Sequence, residues 1–193
     1  QGQDREQVQQ IVEMLCSRGQ MRAAAIVQLT RATGMRLREA ILADLPRLSR
    51  EAALYGKINI QDGTKGGRAG ASAPRWIKVD DHIRGALRYA LQVSPTDSRN
   101  LIAPNESYLN VLQEIAQPAR EVLKAHDLKG FHELRAAFAC ERYEQITHHR
   151  APVNGGQCYA IDRRLDLEAR MQISDELGHG RIEVVAAYIG GRV

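Results

Sequence analysis

The sequence predicts a mainly α-helical domain with a small antiparallel β-sheet, an α+β chain, on three observations. Apolar residues recur at helical spacing over most of the length, and two short stretches alternate polar and apolar residues. No internal repeat or second domain boundary divides the 193 residues, of which 44% are hydrophobic, enough for one ordinary core.

From Asp4 to Leu15 the residues Val8, Ile11, Val12 and Leu15 repeat at helical spacing, and Gly19 supplies a stop. A second helix runs from Met21 to Thr30 with Ala23, Ile26, Val27 and Leu29 inward. Gly34 breaks it before a third helix starting near Arg36, and Pro46 ends that third stretch. After a loop, Lys57 to Ile60 and Arg75 to Val79 alternate and predict two strands. The Gly-rich segment Asp62 to Ala73 between them cannot pack a core and reads as a long hairpin tip.

Helical spacing returns over Ile83 to Leu91, over Glu106 to Lys124 with Pro118 as an interruption, and over Glu133 to Ile146. Thr147 to Asp162 contains Pro152, Gly155 and Gly156 without a period and reads as a surface loop. A helix from Leu165 to Leu177 follows. A last short helix from Arg181 to Ile189 carries Tyr188, with Gly190 and Gly191 as its stop.

A net charge of +4 and a pI near 9.1 favour contact with a polyanion, because each phosphate neutralised by Lys or Arg releases counterions. No stretch approaches the roughly 18 apolar residues of a membrane helix, so no membrane partner is expected. Cys16, Cys140 and Cys158 lack paired spacing, which argues against a disulfide framework or structural zinc and for a reducing cytoplasm. His148, His149 and Cys158 make no plausible metal set, and no Walker, H-E-x-x-H or G-x-S-x-G motif is present. A start at Gln1 rather than Met is what a fragment of a longer protein would show.

Four separated fragments carry chemistry: Thr33-Gly34-Met35-Arg36 with Glu39, Thr64-Lys65-Gly66-Gly67, His132-Glu133-Leu134-Arg135, and Leu177-Gly178-His179 with Tyr188 nine residues on. Alone, each has a plain structural reading: a turn and helix start, a solvated loop lysine, a capping histidine beside a surface arginine, a glycine helix stop. Together, their order and content resemble the tyrosine recombinase and phage integrase family. Arg38 is a weaker substitute for Arg36, since the spacing to Thr33-Gly34 favours Arg36. Tyr55, Tyr89, Tyr108, Tyr143 and Tyr159 lack such company and read as packing residues.

The resemblance implies the tyrosine recombinase catalytic-domain fold over residues 1–193, as a fragment whose N-terminal DNA-binding domain is missing. It implies site-specific recombination of double-stranded DNA through a 3′-phosphotyrosine link, with no cofactor or metal. Arg36 and Arg135 would clamp the phosphate oxygens, as planar forks that never lose charge. Tyr188 would attack, His132 would accept its proton, and His179 would bond the phosphate or share that task. Lys65 would protonate the leaving oxygen, and Glu39, three residues beyond Arg36, would orient that arginine. A homotetramer on DNA in the full-length protein and a location in the bacterial cytoplasm follow from the same resemblance. The span from Arg135 to His179 is longer than is common in the family, so Thr147 to Asp162 reads as an insertion. Two alternatives stay open: a type IB topoisomerase, and an inactive DNA-binding or assembly module.

Overall fold

The computed structural model describes residues 5–64 and 74–191. Helix α1 (Arg5–Ser17) buries Val8, Ile11, Val12 and Leu15 along one face, as its periodicity dictates. Helix α2 (Met21–Thr33) runs three residues past its expected end and is buried almost all round, from Ala23 through Thr33 apart from Gln28. Its three consecutive alanines keep it slim, so neighbours can close on it from several sides.

Helix α3 (Leu37–Leu42) starts where expected, directly after Arg36. Pro46 does not terminate this stretch. It lies in the first turn of a further helix, α4 (Leu45–Tyr55), which the sequence analysis reads as part of a loop. In a first turn, proline's missing N–H has no intrahelical acceptor to lose, and its fixed φ is already helical. Asp44 caps the same turn, accepting the Arg47 N–H at 3.1 Å.

Strands β1 (Lys57–Asn59) and β2 (Trp76–Lys78) pair antiparallel, with fully buried Ile58 opposite Ile77. Asp80 then caps α5 (Asp81–Val93) by accepting the Ile83 N–H at 2.8 Å. The next helical path consists of α6 (Tyr108–Val111), a π-helical turn (Leu112–Ala116) and α7 (Gln117–Ala125). Pro118 sits in the first turn of α7, and the interruption takes the form of the π turn just before it.

Helix α8 (Phe131–Thr147) leads into the expected loop, which holds two single 3₁₀ turns, Pro152–Asn154 and Cys158–Ala160. Helix α9 (Arg163–Glu176), a 3₁₀ turn (Ile182–Val185) and α10 (Ala186–Ile189) complete the chain. α2 forms the axis, packed by α1, α5 and α8; α4 packs on α5 and β1, while α9 and α10 pack on α8. Glu141 on α8 ties this arrangement, accepting from Arg5 at 2.6 Å and from Arg31 at 2.7 Å. Among the described residues no helix is long and apolar enough to cross a membrane.

Candidate active site

The C-terminal end of α2 meets α8 and the end of α9 at Gly34. Gly34 is left-handed, with φ 71°, and a Cβ there would lie 2.5 Å from Phe138 Cδ1 and 2.9 Å from Leu177 Cδ2. Only glycine meets both demands. The tight turn delivers Arg36 to the start of α3, where Glu39 reaches back and accepts from the Arg36 backbone N–H and from Arg36 Nη1, each at 2.8 Å.

Glu39 is fully buried and also accepts from Arg75 Nη1 at 2.8 Å. Burial alone would push its carboxyl up, but the charges and N–H donors of Arg75 and Arg36 outweigh this and hold it below the usual range. Arg75 is itself buried, and desolvation brings its guanidinium down to about 10 despite Glu39. It remains charged at neutral pH.

Arg135, one turn into α8, is the hub. Nη1 donates to the Gly34 carbonyl, Nη2 donates to the Leu177 carbonyl at 2.6 Å, and Nη2 also lies 3.1 Å from His179 Nε2. Nε donates to the Tyr188 hydroxyl at 3.2 Å, and that hydroxyl lies 3.2 Å from His179 Nε2. Burial, then the charges of Arg135, Arg36 and Arg75, bring His179 down to about 4. The imidazole is therefore neutral at pH 7 and offers a lone pair. With the ring proton on Nδ1, the Tyr188 O–H donates to His179 while its oxygen accepts from Arg135.

His132 lies at the exposed start of α8, with its ring 5.0 Å from the Tyr188 ring and tilted 35°. His132 contacts the ring, whereas His179 contacts the hydroxyl as well as the ring, with 5.6 Å between centroids. Arg36, His132 and Arg135 line an open cleft of about 450 Å³ that continues past Phe131, Arg120 and Lys129. Lys65 lies outside the described residues. Two positions before it, left-handed Gly63 packs on α3: a Cβ there would lie 2.9 Å from the Arg38 carbonyl oxygen. Arg38 itself lies over the Tyr108 ring at 5.3 Å.

The structure thus brings Arg36, Glu39, His132, Arg135, His179 and Tyr188 together, and adds Arg75, which the sequence analysis passes over. A signal was available, because Arg75 shares the parity of Ile77 and Val79, both buried, and an arginine on the inward face of a strand needs a partner. The Thr147 to Asp162 loop also has a place. A Cβ on Gly190 would lie 2.9 Å from the Val153 nitrogen, so the loop backs α10. Arg170 Nη1 donates to the Gly190 carbonyl at 3.0 Å, Arg170 Nε donates to Asp166 at 3.0 Å, and the Tyr143 hydroxyl donates to Asp166 at 2.5 Å.

Residues 2–141 match the family model described as Integrase. The chain belongs to the tyrosine recombinase, or integrase, family. That match includes the fragments around Arg36, Lys65 and Arg135 and stops short of His179 and Tyr188. Solved structures of the same fold include XerA recombinase, with a TM-score of 0.59 and 16% identity over 99% of this chain and 59% of that one. XerH site-specific recombinase is similar in two states: a post-cleavage complex with its palindromic difH substrate and a pre-cleavage complex with difH. Each has a TM-score of 0.57 and 16% identity over 97% of this chain, and the coverage of the relative is 48% and 50% respectively. The chain therefore spans about half of the length of these solved structures, at most 59%. No curated protein matches its sequence.

Proposed function

We propose that the chain is the catalytic part of a site-specific DNA recombinase that cuts one strand with Tyr188 and rejoins it to another DNA end. The observation that carries this reading is the Tyr188 hydroxyl, held at 3.2 Å from both a guanidinium nitrogen and an unprotonated imidazole nitrogen. A phenol titrates near 10 when free, and a neighbouring base and cation are what make it a nucleophile.

In the proposed step the Tyr188 oxygen attacks phosphorus and the bond from phosphorus to the 5′ oxygen breaks. The 3′ phosphate stays on tyrosine. His179 is the histidine within reach of the phenolic proton, and His132, exposed on the cleft, supplies a donor to a phosphate oxygen or shares the proton. Arg36 is only partly committed to Glu39 and opens on the cleft beside Arg135, so Arg36 can meet one non-bridging oxygen while the one Nη1 N–H that Arg135 does not spend on Gly34, Leu177, His179 and Tyr188 can meet the other. Lys65 gives the leaving oxygen its proton. The bond energy is stored in the covalent link, so the step calls for no nucleotide and no metal.

Double-stranded DNA is the partner. Exchange between two duplexes requires four strand cuts, one per Tyr188, which argues for four copies of the chain on DNA. The test is a nicked suicide substrate incubated with wild type and with Tyr188→Phe, then denaturing electrophoresis. A protein-linked band formed by wild type alone supports the reading; a band of equal yield from Tyr188→Phe overturns it. Strands joined from two duplexes, rather than relaxed circles alone, separate recombination from topoisomerase action.

A further inference from the structure

Arg75 stands just ahead of β2, with its backbone N–H held by Asn59 Oδ1 at 2.9 Å. Its side chain runs inward and touches two separate fragments. Nη1 donates to Glu39 Oε1, the same oxygen that accepts from Arg36 Nη1, both at 2.8 Å. Nε donates to the Glu176 carbonyl at 2.6 Å, at the end of α9 and three residues before His179. The following turn is moulded on it: Gly178 is left-handed, with φ 69°, and a Cβ there would lie 3.0 Å from Arg75 Cδ and 3.3 Å from Arg75 Nε.

We propose that Arg75 is a positioning residue that sets the geometry of Arg36, through Glu39, and of His179, through the Glu176 carbonyl and the Gly178 turn. A plain structural ion pair accounts for less of this. Buried ion pairs seldom add stability over packed apolar side chains, and this one leaves Arg75 Nη2 buried with no hydrogen-bond partner among the described residues, a costly arrangement. One planar fork spans a carboxylate and a carbonyl on different elements, which an ammonium cannot reproduce.

Charge reinforces the geometry. His179 touches Arg135 from α8 and Tyr188 from α10, and the charges of Arg36 at the start of α3, Glu39 within it and Arg75 reach it. Arg75 is one of the three cations that keep its imidazole unprotonated. Without that cation, His179 titrates closer to its ordinary range.

This inference rests on the strand-cleavage reading, and its test separates the two. Wild type, Arg75→Met, Arg75→Lys and Tyr188→Phe are compared in single-turnover cleavage of the suicide substrate at saturating DNA. In parallel, the His179 imidazole is titrated by NMR in wild type and both Arg75 variants without DNA. Arg75→Met is expected to cleave at least about 100-fold more slowly, as on loss of a preorganised donor, with DNA affinity within a few-fold and the His179 midpoint raised. Arg75→Lys keeps the charge but not the fork, and is expected to leave that midpoint low and cleave about 10-fold more slowly. A folded Arg75→Met with wild-type cleavage, or with an unmoved His179 midpoint, overturns the proposal. Should Arg75→Met not fold, Arg75→Lys decides, and a wild-type rate from it overturns the proposal. If wild type forms no adduct on any DNA, the strand-cleavage reading is what fails, and the His179 titration alone then judges Arg75.

Discussion

Nε2 of His179 lies 3.2 Å from the Tyr188 hydroxyl, and the surrounding arginines determine what that contact can do. Burial first, and then the cations that would stabilise a phenolate, keep the proton off the imidazole, so His179 rests as a neutral base beside the hydroxyl. An incoming phosphate carries the opposite charge. By partly neutralising Arg36 and Arg135 it favours protonation of His179, and so makes the histidine a better acceptor when substrate is present.

The pH dependence follows with a definite sign. His179 titrates near 4 in the folded protein against 6.5 as its ordinary value. Between these values the unfolded chain holds a proton that the folded chain does not, so this residue's contribution to stability rises with pH across that window. It is fully present above 6.5 and declines on acidification toward 4. Thermal unfolding at pH values inside and above the window should show a larger acid loss in wild type than in His179→Gln. The NMR midpoint of His179 should also rise when duplex DNA is bound. Equal acid losses in both proteins would contradict the assignment.

Tyr188 and Arg135 should separate chemistry from stability. Tyr188→Phe removes one oxygen and is expected to abolish the covalent adduct with DNA affinity within a few-fold. Arg135→Ala is expected to cost at least about 100-fold in cleavage. It also leaves the Gly34 and Leu177 carbonyls without their donor in a buried space, for a stability loss of about 2–4 kcal/mol. Urea unfolding of both variants checks the second claim; an Arg135→Ala variant as stable as Tyr188→Phe would refute it.

Residues whose patterns are local were legible. The faces of α1 and α5, the two strands and the fragments around Arg36, Arg135 and His179 sit where spacing placed them, because helical and strand periods and glycine stops are written in consecutive residues. Helix α4 was hidden because proline breaks a helix interior yet suits a first turn, and Leu45-Pro46 does not say which applies. Arg75 was hidden because its partners, Glu39 and the Glu176 carbonyl, are brought to it only by tertiary folding. The Thr147 to Asp162 loop reads only as an insertion for the same reason, since its contact with Gly190 depends on where α10 ends.

Gly34 offers a test of the framework itself. A methyl group there must adopt φ near 71° and intrude on the Phe138 ring and Leu177. Left-handed strain costs about 1–2 kcal/mol and overpacking about 1–3 kcal/mol, so Gly34→Ala should lose about 2–5 kcal/mol in urea unfolding. Cleavage should fall further than stability alone dictates, because the Gly34 carbonyl also fixes Arg135. A Gly34→Ala protein of wild-type stability would mean that this turn does not pack as described.

Tyr188 is engaged by Arg135 and His179 of its own chain, which argues that each chain attacks the phosphate bound in its own cleft. The helix that carries it is anchored from behind: the Tyr188 carbonyl accepts from Cys140 Sγ at 3.5 Å, the Gly190 carbonyl accepts from Arg170, and Val153 blocks Gly190. Donating the tyrosine to a neighbouring chain would break all of these contacts. Mixing Tyr188→Phe with a size-tagged Arg135→Ala protein therefore should yield no adduct beyond the slow level that Arg135→Ala forms alone on the suicide substrate. In a shared-site arrangement the intact arginine of one chain would meet the intact tyrosine of the other. The adduct on the Arg135→Ala protein would then rise well above its level without Tyr188→Phe, and such a rise would show that Tyr188 leaves this position when the DNA complex assembles.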